Sequence, residues 1–143
     1  ELVSSIDLVP TMLAAGGADI PKDLPGLNLL PDMQNKNEIV RDAIFGESFA
    51  HDIADIEDPE ASLLFRWCIQ GRWKLLLTYD GEVNRYKSTH PRTEKRPQLF
   101  DLLADPAEEN NLAGSNPKVV ARLAEKISDW YPVNKRKVLT KFE

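Results

Sequence analysis

The stretch Gln98-Leu99-Phe100-Asp101-Leu102-Leu103, followed by Asp105-Pro106 and then Asn116-Pro117, decides how the chain is read. Its first six residues are rich in large apolar side chains and form a strand. Asp105-Pro106 starts a turn, because proline fixes its own φ and restricts the residue before it. Glu108 and Glu109 then begin a short helical turn that Asn110-Asn111 closes. Asn116-Pro117 sets a capping side chain ahead of a proline at the first helical position. Val120, Leu123, Ile127 and Trp130 follow at steps of three and four, and Pro132 ends the helix.

Upstream, Leu63 to Gln70 and Trp73 to Tyr79 are apolar and aromatic runs, separated by Gly71-Arg72. A two-residue separation makes a hairpin. Leu64, Trp67 and Ile69 alternate imperfectly, which implies a bulge or burial on both faces. Asp42 to Phe49 reads as a further strand, weakened by Gly46. Near the start, Ser4-Ser5-Ile6-Asp7 opens a helix: either serine can cap it, and Asp7 favours the positive end of its dipole. Leu2, Ile6, Val9 and Leu13 make one apolar stripe, Leu8 and Met12 a second, and Gly16-Gly17 stops the helix. A helix apolar on more than one side needs cover. Residues 18–37, with Pro21, Pro25, Gly26 and Pro31, read as a connector. Residues 80–97 read as a long loop, and the tail from Asn134 is expected to fray.

The fold class is therefore α+β: a small antiparallel sheet of about four strands packed with a C-terminal helix, and preceded by a separate helix. The domain reading is 1–37 and 38–143, with 132–143 as a frayed tail.

The chain has 143 residues, 42% of them hydrophobic and 29% charged, and a net charge of −5. This composition excludes wholesale disorder and collagen-like structure. No apolar run approaches the roughly 18 residues of a membrane helix. A lone Cys68 excludes an internal disulfide framework and a multi-cysteine zinc site. The chain begins at Glu1, so it is expected to be a piece of something longer. Residues 1–65 hold 13 acidic and 3 basic residues, whereas residues 66–143 hold 10 acidic and 15 basic. Eight of those basic residues fall within 66–96, a block that suits an anionic ligand or a solvated strand pair. Nucleic acid is not an expected partner, because the block lacks interleaved stacking aromatics.

Few residues suggest chemistry. His51-Asp52, followed by Asp55, Glu57, Asp58 and Glu60, offers imidazole and carboxylates, but at no metal-site spacing. Asp101, Asp105, Glu108 and Glu109 lack the alternation and glycine of a calcium loop. There is no G-x-S-x-G elbow and no glycine-rich phosphate loop. Cys68 reads as a small buried residue.

Three segments in order nevertheless resemble the C-terminal portion of the type I, formylglycine-dependent sulfatases of the alkaline-phosphatase-like superfamily. They are Ser5-Ile6-Asp7-Leu8-Val9-Pro10-Thr11-Met12-Leu13 with Pro25-Gly26-Leu27; Arg66-Trp67-Cys68-Ile69 with Arg72-Trp73-Lys74-Leu75-Leu76; and Gln98-Leu99-Phe100-Asp101-Leu102 with Asp105-Pro106, Glu108 and Asn110-Asn111-Leu112. Gln98, Phe100 and Trp73 depart mildly from the family's usual residues. The resemblance implies that residues 1–37 end a large catalytic α/β domain and that 38–143 form the sulfatase C-terminal subdomain. It implies a parent that hydrolyses sulfate esters with formylglycine and calcium, and that is periplasmic or extracellular. Cys68-Ile69-Gln70-Gly71-Arg72 is not the maturation motif, and no paired calcium ligands match. No catalytic, metal or cofactor residue is therefore expected in this chain, which by itself should be inactive. Its expected partners are the upstream catalytic domain, an anionic sulfated substrate and, through its uncovered helix, a second copy. Glu47, His51, His90 and Arg92 are the candidate substrate contacts, because loops of this subdomain flank the substrate cleft in the family. The other readings are a stand-alone module for anionic glycans and the same part of a related phosphatase or phosphodiesterase.

Overall fold

A computed structural model describes residues 2–36, 39–51, 54–81 and 96–138. The chain separates into two compact units, residues 1–44 and 45–143.

In the first unit a 3-10 turn, Ser5–Asp7, leads into helix α1, Leu8–Ala15. Residues 18–37 are more than a connector. They contain a short helix α2, Leu30–Met33, and fold back on the first turn. The Leu27 N–H donates to Asp7 Oδ1 at 2.8 Å, and the Leu29 N–H donates to the Thr11 hydroxyl at 2.9 Å. Gly26 sits at φ 98°, and a Cβ there would lie 2.3 Å from the Ile6 carbonyl oxygen. Only glycine allows both that backbone conformation and that approach.

The second unit is built on a four-stranded antiparallel sheet in the order β1 (Ile44–Phe49), β2 (Leu63–Gln70), β3 (Trp73–Thr78), β4 (Gln98–Asp101). Gly71, at φ 56°, makes the turn between β2 and β3. Cys68 pairs with Leu75 and Leu75 with Leu99, so these three side chains share a face. Helix α3, Pro117–Trp130, covers that face with Leu123 and Ile127. All five of these residues are fully buried. Each such aliphatic burial contributes about 2 kcal/mol. Gly46 does not simply weaken β1: a Cβ there would meet the Trp67 indole at 2.3 Å, so the glycine admits the ring.

Further expectations are corrected. The strand β4 stops at Asp101, not Leu103, because the Asp101 carboxylate turns back to accept the N–H groups of Leu103 and Ala104. Glu108-Glu109 is not a helical turn, since Glu108 takes φ 58°. Asn116 does precede α3, but its side chain donates to the Leu112 carbonyl instead of capping the helix. Residues 137–138 of the tail reach back to the end of β3: Val138 bridges Tyr79, and the Lys137 N–H donates to Asp80 Oδ1 at 3.0 Å.

Candidate functional site

Of the four candidate substrate contacts, two lie in described residues. Glu47 is exposed on β1, and partial burial pushes its carboxyl up while the charge of Arg66 opposes the shift. His51 is exposed in the bend that follows β1. His90 and Arg92 lie outside the described residues. No constellation of the four is therefore on view.

The basic block resolves into internal structure wherever its partners are described. Arg66 is 2% exposed. Its Nε donates to the Tyr79 hydroxyl at 2.9 Å, and one terminal nitrogen donates to the Ile127 and Tyr131 carbonyls. It thus holds the last turn of α3, at the helix end whose dipole favours a cation. Arg72 pairs with Asp101, and Lys74 contacts both Glu108 oxygens at 2.6 and 2.7 Å. These three cations are spent on the fold.

The segment 98–112 owes its character to the same accounting of polar groups. Asp101 is held below the usual carboxylate range by Arg72 first, then by the Ala104 and Leu103 N–H groups. Asp105 is also lowered, by the Asn110 and Glu109 N–H groups. Asn111 Oδ1 accepts from Leu99 and Ala113, which closes the outer edge of β4. These side chains replace the backbone ladder that a turn lacks. The geometry makes the motif a turn whose carboxylates are engaged by its own N–H groups and by Arg72.

Among the described residues, the most strongly perturbed group is one that the sequence presents only as a favourable helix-start charge. Asp7 is completely buried. Arg41 contacts its two oxygens at 2.6 and 2.5 Å, and the Ser4 and Leu27 N–H groups also donate to it. Its carboxyl is held far below the usual range by Arg41 first, against the opposing effect of burial. The pair closes the first unit over 34 positions of sequence, which no local pattern signals.

Neither cofactor implied by the resemblance fits these residues. Cys68 is fully buried in β2 and lacks the maturation sequence, and the carboxylates of Asp7, Asp101 and Asp105 are engaged internally. No cluster of three metal-ligating side chains occurs among the described residues. Nor is any described helix long and apolar enough to cross a membrane.

A four-stranded antiparallel sheet packed with a C-terminal helix, together with a separate N-terminal helix, is consistent with the sulfatase C-terminal subdomain. Arylsulfatase K of Xenopus laevis is 32% identical over 128 residues, which cover 88% of this chain and 22% of that protein. A solved sulfatase from Bacteroides thetaiotaomicron, described with its metabolism of multiple glycosaminoglycans, is 28% identical with a TM-score of 0.62, over 92% of this chain and 30% of its own. Phosphonate monoester hydrolase of Agrobacterium radiobacter is 26% identical with a TM-score of 0.60, over 89% of this chain and 24% of its own. No family model matches the chain. The chain thus spans about a fifth of the length of the curated relatives it matches. By sequence and fold it corresponds to the C-terminal portion of a sulfatase.

Proposed function

We propose that the chain is the C-terminal part of an enzyme that hydrolyses sulfate esters, on sulfated carbohydrate or an aryl sulfate. The observation that carries this reading is the match to arylsulfatase K over 88% of the chain. The chain itself is the supporting part. Residues 1–37 end the catalytic domain, and 38–143 form the subdomain beside its cleft. Formylglycine and calcium belong upstream, in a parent that is periplasmic or extracellular. The sheet face opposite α3, with half-buried Phe65, Trp67, Ile69 and Leu76, is suited to pack on that domain. Glu47, His51, His90 and Arg92 remain the proposed substrate contacts from this part.

The test is the reading frame upstream of Glu1, together with an assay. A Cys- or Ser-x-Pro/Ala-x-Arg motif upstream, and calcium-dependent release of nitrophenol from nitrophenyl sulfate only by the longer protein, is the expected result. Turnover by the 143-residue chain alone overturns it. The likeness to a phosphonate monoester hydrolase supports a second reading. Preference of the longer protein for a phosphonate monoester over the sulfate would select it.

A further inference from the structure

We draw no further inference here: the strongest candidate, a largely apolar groove of about 470 Å³ at the start of α3 lined by Arg96, Pro97, Asn111, Pro117 and Val120, is an unpartnered surface for which nothing in the structure shows what occupies it.

Discussion

Asp7 shows how one residue closes a unit that the sequence presents as a loose connector. Removing one member of a buried ion pair leaves the other charge uncompensated, at a cost of about 3–5 kcal/mol. Asp7→Asn is therefore expected to strip amide-exchange protection from Leu27, whose N–H donates to the carboxylate, and to expose residues 18–36 to protease. Adding Arg41→Met should restore part of the loss, because the stranded guanidinium is gone; two independent losses would instead add. The pH dependence follows from the direction of the shift. Asp7, Asp101 and Asp105 are all held below the ordinary carboxylate range in the folded state. Their contribution is complete above the unfolded value and drains away as pH falls through the folded ones. Acid titration of stability should thus show a steep limb below about pH 4, shallower in Asp7→Asn. Glu47 runs the other way. Its raised value favours folding while protonated and loses that benefit as pH rises. At neutral pH Glu47→Gln should leave stability unchanged or slightly higher, and a marked loss would mean that its charge is structurally required.

At the scale of elements, the turn between β4 and α3 depends on a residue that sits badly on its own backbone. Glu108 holds φ 58° while its carboxylate grips Lys74. A side chain in that region costs about 1 kcal/mol relative to glycine. Glu108→Ala loses the ion pair and keeps the strain, whereas Glu108→Gly loses the ion pair and relieves it. Thermal melts should place the glycine variant above the alanine variant, and the reverse order would remove backbone strain from the account. The β1–β2 pair offers a parallel case. Gly46→Ala forces a methyl group into the Trp67 indole and should destabilise by about 1–3 kcal/mol. Trp67→Val in the same chain should recover much of that loss. These cases also explain what the sequence could convey. The hairpin and α3 were legible because burial repeats at periods of two and of three to four. The length of β4 was not, because Asp101 ends it with its own side chain. The reach of Asp7 across 34 positions, and the helix-end role of Arg66, were illegible for a related reason. A long-range polar partner leaves no periodic trace, and the basic block invited an anion-binding reading when three of its members answer to internal acceptors. His90 and Arg92 remain readings from sequence.

For the molecule as a whole, the question is what the exposed apolar surface is for. Ile6, Leu8, Val9 and Met12 are 47–64% exposed, all within one 3-10 turn and the helix that follows it. Soluble monomers seldom leave such residues clustered in water. The sheet offers a contrast, since Cys68, Leu75 and Leu99 on its helix-facing side are fully buried with Leu123 and Ile127. The second unit therefore has a finished core, while the first carries an apolar helix with one side uncovered. That asymmetry fits a chain whose relatives are about five times longer, with α1 suited to pack against an upstream domain. It also predicts how the 143 residues behave alone. At tens of micromolar they should associate through α1, and light scattering should report a mass that rises with concentration. Leu8→Lys with Met12→Glu should return the chain to a monomer while leaving the second unit folded, since neither residue is part of that unit's core. A wild-type chain that stays monomeric would show that α1 finds cover without a second copy. A pair of substitutions that leaves the mass unchanged would move the contact away from α1, and the half-buried face of the sheet around Trp67 would be the next surface to substitute.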